Sequence, residues 1–380
     1  MKSHPPHHGH GSSVIIAMRD ELLDGHLPGD TVQAAAVEER SGARNAIASP
    51  WPAVPSTELP PDVYLIGCGS PDQASRGQPT AQSMGFKAWN LLRMAQLALP
   101  VPPAFVIGTS YCSTPIARAS AATRPVWLPG LQALEREAGQ ALGDARHPLL
   151  VSVRSGAAVS MPGMMETLLD VGLCDATVAG LVRHTGHPRL VWDAYRRLVA
   201  TYGEVVAGLP AELFENATVA LYGARDERDL DFAELRALTR QFLAVYAAQA
   251  GRDFPQDPAE QLSGAIEAVF ASWQSSKAQA YRRMNRIADG GGTAVTVQCM
   301  VFGNAGGDSG AGVGFTRDPA TGERVPWVDF LFNAQGEDVV SGRRSANGPE
   351  ELAAVLPLVW QQLSTAGQQI ERAFGDMQDF

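Results

Sequence analysis

Cysteine is sparse in this chain and poorly spaced for either task that clusters of it perform. Cys68, Cys112, Cys174 and Cys299 lie far apart with no C-x-x-C pair, so neither a zinc site nor a disulfide framework is indicated, and a reduced cytoplasmic setting is expected. Long apolar runs are also missing. Pro100, Pro102 and Pro103 interrupt the best candidate, which leaves nothing of the roughly 18 residues that a membrane span needs, and the N-terminus has no apolar signal-peptide core. An excess of positive charge is absent as well. Thirty basic against 40 acidic side chains give a formal charge of -10, which disfavours nonspecific binding to nucleic acid or to an anionic membrane. A site for a polyanion must then be a local basic pocket.

What is present suits a globular protein. The 380 residues, 45% of them hydrophobic, suffice for two or three compact units with a sizeable core. Residues 1–60 are rich in Pro, His, Ser and charge, with His4, His7, His8 and His10 near Pro5 and Pro6; a weakly ordered polar extension is expected, with metal binding the less economical alternative. From Val63 the pattern becomes βα-like: Tyr64, Leu65 and Ile66 suit a strand, and 87–99 suits a helix that Pro100 ends. Residues 174–258 are mainly helical in pattern. Trp192, Tyr195, Leu198, Val199, Tyr202, Val205 and Val206 recur at three- and four-residue steps, and Arg196 and Arg197 fall on the opposite face, as a solvated pair by default or, in the alternative, reaching a cleft. Asp257-Pro258 starts another helix, with Leu262, Ile266, Val269, Phe270 and Trp273 as its buried stripe. Strand-like alternation returns at Thr293–Val301, Gly310–Phe315 and Trp327–Phe332.

The densest signal lies at 151–167, Val-Ser-Val-Arg-Ser-Gly-Ala-Ala-Val-Ser-Met-Pro-Gly-Met-Met-Glu-Thr. Val151 and Val153 alternate with Ser152 as in a half-buried strand, which delivers Arg154 into Ser155, Gly156, Ala157 and Ala158. Small residues let backbone N–H groups approach an anion, and a guanidinium at the strand end adds charge-assisted hydrogen bonds to phosphate. A solvated arginine beside a flexible turn is the plain alternative.

This segment resembles the nucleotide-binding domain of the pyruvate phosphate dikinase family. Further stretches agree in order: Asp62–Gly67, Leu97–Phe105, Phe254–Pro258, Tyr281–Arg283, Gly292–Val295, Met300–Asn304, Phe315–Pro319 and Asn333–Val340, so the likeness covers roughly residues 61–379. The resemblance implies an α/β (α+β) ATP-grasp-like fold of two lobes with a helical insertion: residues 61–173 as the first lobe, 174–258 as a helical subdomain, and 259–380 as the rest of the core and a truncated second lobe. An incomplete sheet would expose an unpaired edge, which predicts association or poor solubility.

The same resemblance implies site residues. Gly85-Phe86-Lys87-Ala88-Trp89-Asn90-Leu91 is similar to the family's Gly-Gly-Lys-Gly-Ala-Asn-Leu, so Lys87 inherits a contact with the nucleotide's phosphates. Phe86 and Ala88 replace glycines, so a positive φ at either would cost energy. Arg154 joins Lys87 on the phosphates. Gly163 and Thr167 take the positions of a lid over them, with methionines that pack adaptably; a tight Pro-Gly turn is the alternative for Gly163. Gln298, in Val297–Val301, inherits a contact beside adenine from related phosphotransferases. Arg197, Glu337 and Asp338 match catalytic cleft residues, and Asp379 the metal-binding motif. ATP and Mg2+ are the implied cofactors.

The family's Asp-Met-Gln-Asp continues into Ile-Glu and a Gln-Thr-Arg strand, whereas this sequence stops at Asp376-Met377-Gln378-Asp379-Phe380. The Thr-Ser-His-Ala carrier-histidine motif and the pyruvate-binding barrel are absent too. Each lost phosphate or metal group typically costs about 3 kcal/mol or more of transition-state stabilisation. The expectation is therefore the ATP-binding portion of a dikinase-like phosphotransferase, which phosphorylates a histidine on another domain or chain. In the whole reaction of the family, ATP, pyruvate and phosphate give AMP, phosphoenolpyruvate and pyrophosphate. A noncatalytic nucleotide- or partner-binding module is the rival.

Overall fold

The computed structural model describes residues 59–68, 78–161, 163–306, 309–340 and 346–380. The expected extension 1–60 lies outside the described residues except for Leu59 and Pro60, and Leu59 is buried in the main core.

Five strands build the principal sheet: β1 (Val63–Ile66), β2 (Ala104–Ile107), β3 (Val151–Ala157), β4 (Thr167–Val171) and β5 (Thr293–Cys299). They run in the order β1-β2-β5-β3-β4, every neighbouring pair antiparallel. The central strand comes from far along the chain. β5 carries Val295, Thr296 and Val297, β-branched residues that suit a pleated surface covered on both sides, and Thr293–Gln298 are all buried.

Alternation along the strands gives the sheet two unlike faces. Val63, Phe105, Ile107, Val151, Val153, Val295 and Val297 belong to the large core, with helices Arg124–Ala138 and Pro258–Ser272 packed over that side. The other face carries Tyr64, Ile66, Ala104, Val106 and Ala294, covered by helix Phe86–Gln96 through Ala88 and Leu91 and by Met84 at the end of the short helix Ala81–Met84. Farther across this second face the register sets Arg154 between Thr167 and Thr296, and Ser152 beside Gln298. Polar side chains thus collect where the helix cover ends.

The helical expectation between 174 and 258 is met by five helices from Asp175 to Ala250. Helix Pro188–Val205 buries Leu190, Val191, Ala194, Tyr195, Leu198, Val199 and Tyr202, and packs against helix Phe232–Ala250. The latter starts at a reciprocal cap: Asp231 Oδ1 accepts from the Ala233 and Glu234 backbone, and Glu234 Oε2 accepts from the Asp231 N–H.

Arg196 departs from its expected solvated position. It is only 5% exposed, 2.7 Å from Asp193 Oδ1 and 2.9 Å from Glu227 Oε2. Periodicity placed it outside the apolar stripe, but the neighbouring turn at 227–229 closes over it. Burial pushes the Asp193 carboxyl up, and Arg196 and Arg197 overcome that and hold it below the usual carboxylate range.

The second lobe is a two-stranded antiparallel ribbon, β6 (Gly310–Phe315) and β7 (Trp327–Phe332), backed by helix Pro357–Phe374. The expected open edge is corrected here. Gly314 and Phe380 exchange both backbone hydrogen bonds, at 2.7 and 2.8 Å, and Thr316 N donates to Gln378 O at 2.9 Å. Phe330 and Asn347 do the same on the β7 side, at 3.0 and 2.7 Å. The final residues therefore run beside β6 and supply its edge with backbone partners. Among the described residues no helix is long and apolar enough to cross a membrane.

The buried charge network yields a prediction. Asp193→Asn leaves Arg196 without its main counter-charge in a dry setting and should cost about 3 kcal/mol or more, read as a lower denaturation midpoint at pH 7. Because the folded Asp193 pKa is depressed, its stabilisation is present above the unfolded carboxyl pKa and fades as pH falls through the folded one. The gap between the wild type and the Asn variant should therefore narrow in acid.

Candidate phosphate-binding site

The site is assembled by one backbone crossing. Gly85 precedes helix Phe86–Gln96 with φ 79° and ψ 151°, and a Cβ placed there would lie 2.1 Å from the Gly156 carbonyl oxygen and 2.5 Å from its carbon. Only glycine permits this approach, for reasons of both φ and space. Two residues on from Gly85 stands Lys87, and two residues back from Gly156 stands Arg154. Backbone contact between the glycines thus draws the two cations together from separate parts of the chain.

Phe86 and Ala88 need no special geometry: neither is among the non-glycine residues with positive φ, and both lie in the helix. The positive φ falls on Gly85 alone, so the feared cost of the two substitutions does not arise. Gly85 also offers no side chain to cap the first turn, which leaves the initial helical N–H groups available to an anion.

Arg154 does not sit where a strand opens into a loop. β3 continues to Ala157, with Ser155, Gly156 and Ala157 paired to Val295, Ala294 and Thr293. The small residues in this stretch serve a crowded crossing within the sheet, and the connecting segment starts only at Ala158.

The charges act on one another. Burial, then the Arg154 guanidinium, push the Lys87 ammonium below the usual lysine range, and the Asp379 carboxylate pulls it back up. Residues from the start, middle and end of the folded region therefore share one electrostatic neighbourhood. Lysine is otherwise rare here: Lys2, Lys87 and Lys277 are the only three in the sequence.

Thr167 lies directly across from Arg154 on β4 and is half-buried. Gly163 behaves differently, exposed at φ 69° with nothing within 4 Å of where a Cβ would stand. Its neighbours Met161, Met164 and Met165 pack against the main core. The segment is tethered at Glu166, whose Oε1 is 2.5 Å from Lys277 Nζ and whose N–H donates to Ser272 Oγ at 3.4 Å.

Gln298 is 1% exposed. Its Nε2 donates to the Pro102 carbonyl at 3.0 Å, while its buried Oε1 has no hydrogen-bond partner. It occupies the same face of β5 as Thr296, about 7 Å along the strand. An amide oxygen buried without a partner is a local cost that folded proteins usually avoid.

The expected catalytic residues Arg197 and Asp338 meet each other. Arg197 Nη2 is 3.5 Å from Asp338 Oδ1, and its Nε is 3.0 Å from Asp193 Oδ2, so the pair joins the helical region to the second lobe. Asp338 Oδ2 also accepts from Gln335 N at 3.0 Å. Glu337 belongs to the short helix Gly336–Val340, and its side chain lies outside the described residues.

Among the described residues no group of three His, Cys, Asp or Glu side chains could hold a metal. Asp379 is a single carboxylate facing a lysine, so these residues do not by themselves form a Mg2+ site. A cavity of about 900 Å3 opens elsewhere, between helices Pro188–Val205 and Pro258–Ser272, lined by Glu166, Glu204, Glu260, Glu267 and Lys277 among others. It includes none of the expected nucleotide residues. Sequence reasoning missed the Gly85–Gly156 crossing, although a glycine directly before the lysine was its visible trace.

A mixed helix and sheet frame of two lobes, with a basic cluster at a helix start, defines an ATP-grasp-like nucleotide-binding domain. Residues 130–353 match the model of the pyruvate phosphate dikinase AMP/ATP-binding domain, and the chain belongs to that family. It is 42% identical over 323 residues to pyruvate, phosphate dikinase 1, chloroplastic, of Arabidopsis thaliana, covering 83% of this chain and 33% of the relative. Pyruvate, phosphate dikinase 2 of Zea mays is 44% identical over 302 residues, 78% of this chain and 34% of the relative. The Clostridium symbiosum pyruvate, phosphate dikinase is 43% identical over 303 residues, 78% and 35% respectively. The chain spans about a third of the length of these relatives.

Gly85→Ala should lower stability by roughly 3 kcal/mol, through clash and strained φ together. Gly163→Ala, strained in φ but sterically open, should cost only about 1 kcal/mol. Chemical denaturation of the two variants checks the contrast; equal losses would mean that the crossing is not tight.

Proposed function

We propose that this chain binds ATP with its phosphates between Lys87 and Arg154 and serves as the nucleotide-binding part of a dikinase-type phosphotransferase. The observation that carries the reading is the meeting of these two cations beside the uncapped helix start, in a chain whose overall charge is -10. Such a locally basic, partly dry pocket favours a polyanion, with two cations against the single Asp379 carboxylate. Thr167 adds a hydroxyl across from Arg154, and Gly163 supplies a pliant point in a lid that folds over the phosphates. Gln298 Oε1 accepts from the adenine amino group.

Arg197 and Asp338, which pair at 3.5 Å, and Glu337, next to Asp338 in the sequence, take the catalytic part that the family resemblance gives them. The acceptor is a histidine on another domain or chain, and the pyruvate site is likewise supplied from outside these residues. In the complete reaction the products of ATP, pyruvate and phosphate are AMP, phosphoenolpyruvate and pyrophosphate. Magnesium would enter with the nucleotide phosphates, and Asp379, whose carboxylate acts on Lys87, is the residue of this chain that would help to hold it. The division into a first lobe at 61–173, a helical subdomain at 174–258 and a second lobe within 259–380 belongs to the same reading, as does a cytoplasmic setting.

Lys87 gives the reading a two-sided test. A charged ammonium that burial and Arg154 disfavour destabilises the unliganded protein, so Lys87→Met should hold or raise the melting temperature. The same change removes a charge-assisted contact and should weaken ATP binding by at least about tenfold in calorimetric titration. The sign with pH follows: the folded Lys87 pKa is lowered, so below it both folded and unfolded states are protonated and the folded state bears the cost. Stability contributed by this group rises between the folded pKa and 10.5, whereas ATP affinity falls over that window. A Met variant that binds ATP as well as wild type would refute the phosphate role.

Phosphotransfer is tested separately by adding a histidine-carrying domain of a dikinase in trans. Phosphohistidine that forms only with ATP supports the enzyme. ATP binding without any phosphohistidine, in a folded mixture, supports the noncatalytic module.

A further inference from the structure

The cavity of about 900 Å3 that lies apart from the phosphate cluster is walled by helix Pro258–Ser272 on one side and by the end of helix Pro188–Val205 on the other. Glu260 and Glu267 both line it. Seven residues, two helical turns, separate them, so they share one stripe of the helix about 10 Å apart along its axis. Glu204 lines it from the opposite helix, and Arg252 and Lys277 are the basic residues of the wall. Among the described residues none of these three carboxylates forms a salt bridge, whereas Glu166 is held by Lys277 at 2.5 Å. Negative charge is therefore in surplus. Apolar surface lies among the carboxylates, from Gly264, Ala268 and Ala271 on one wall and Val205 and Val206 on the other.

A buried side chain opens on the same space. Tyr202 is 1% exposed, and its ring is fixed edge-on to Phe254 at 5.3 Å and beside Tyr246 at 6.5 Å. Its hydroxyl reaches the cavity wall at Gly264, where a Cβ would lie 2.4 Å from the oxygen. Glycine within a helix is otherwise unfavourable, and here it leaves the hydroxyl room at the wall. Among the described residues this hydroxyl has no hydrogen-bond partner, and unlike that of Tyr246 it is not sealed in the core. A polar atom of a buried residue, fixed at a cavity wall without a protein partner, is a contact left for water or a ligand.

We propose that this cavity is a second ligand site, which takes a linear aliphatic polyammonium ion: its nitrogens meet Glu204, Glu260 and Glu267, its methylenes lie along the apolar surface among them, and one N–H donates to the Tyr202 oxygen. Three features select this class. The surplus of carboxylates favours a cation over an anion. Their separation disfavours a compact cation, since among the described residues no three such groups stand close enough to hold a metal ion. Apolar wall between charges matches methylenes between nitrogens. Exposed ion pairs contribute little each, so the hydroxyl, the one buried polar group of the set, gives the site its discrimination. The site shares none of the residues assigned to the nucleotide and does not depend on that reading.

Calorimetric titration of the full chain with spermidine, whose end nitrogens extend to about the separation of Glu260 and Glu267, tests this. One spermidine should bind per chain, and the shorter diamine putrescine more weakly. Tyr202→Phe keeps the charge and the ring, abandons no hydrogen bond and should fold as the wild type does; its affinity for spermidine should fall at least about tenfold, the size of a hydrogen bond to a charged group. Glu267→Gln should cost about threefold. Glu350→Gln, an equal loss of charge at an exposed position on another helix, should leave binding unchanged. Should Tyr202→Phe lower the melting temperature, Ala271→Leu, which fills the exposed part of the wall without altering charge, replaces it with the same expectation. Absence of spermidine binding overturns the proposal. So does binding that neither Tyr202→Phe nor Ala271→Leu weakens, which would be general attraction to an acidic surface, and so does stoichiometric Mg2+ binding that Glu267→Gln removes, which would make the cavity a metal site.

Discussion

Close passage of the backbone at Gly85 over the carbonyl of Gly156 is the constraint on which the site depends. The contact is asymmetric. A methyl group at Gly85 would sit 2.1 Å from that carbonyl oxygen, whereas one at Gly156 would meet Met84 O at an ordinary 3.5 Å. The demanding member is therefore the glycine ahead of the helix, where a positive φ is also required. Two rigid elements cross at this point, and rigidity does the rest: a helix fixes where its second residue lies, and a laddered strand fixes the residue two positions earlier. Positioning on regular elements gives the cations a definition that two flexible loops would not.

Bringing Lys87 and Arg154 together is unfavourable without a third party. Like charges repel, desolvation disfavours both, and the positive end of the helix dipole adds to the cost. Asp379 offsets part of this by its effect on Lys87, and it arrives on a segment that pairs with β6. The first lobe supplies positive charge and the second supplies the balancing negative one. A phosphate chain placed between them would meet the same field that Asp379 meets, so the unliganded arrangement already approximates the electrostatic environment of the liganded one.

Elements with strong local signals were legible in the sequence. The alternation at 293–301, 310–315 and 327–332 became β5, which ends at Cys299, β6 and β7, and Asp257-Pro258 starts a helix whose buried residues include Leu262, Ile266, Val269 and Phe270. Features decided by distant contacts were not. The Ser-Gly-Ala stretch after Arg154 has the composition of a loop, yet its small residues allow pairing with β5 on one side and passage of Gly85 on the other. Arg196 lies off the apolar stripe of its helix, yet Glu227, 31 positions later, closes over it. Closure of the β6 edge depends on the last residues returning beside Gly314. Lys87 and Arg154 each look like an ordinary surface cation in isolation, and only the family resemblance paired them; burial and proximity in the fold give that pairing its physical content.

The two faces of the principal sheet show how far the fold departs from what stability alone would select. One face is filled by Val63, Phe105, Ile107, Val151, Val153, Val295 and Val297, with no polar group among them. The other holds a lysine below its normal range, a second cation beside it, a helix start without a side-chain cap and a buried amide oxygen, Gln298 Oε1, with no partner. Each of these is a local cost of a kind that folded proteins usually avoid, and an unmet buried acceptor alone is worth about 1–3 kcal/mol. Their confinement to one face, in line along β3 and β5, argues against accidental imperfection. A ligand with anionic oxygens at one end and a hydrogen-bond donor at the other would satisfy them together: phosphates for the cations and the free N–H groups, and an amino group for the amide. The large core on the opposite face supplies the stability that lets the sheet carry this unsatisfied set.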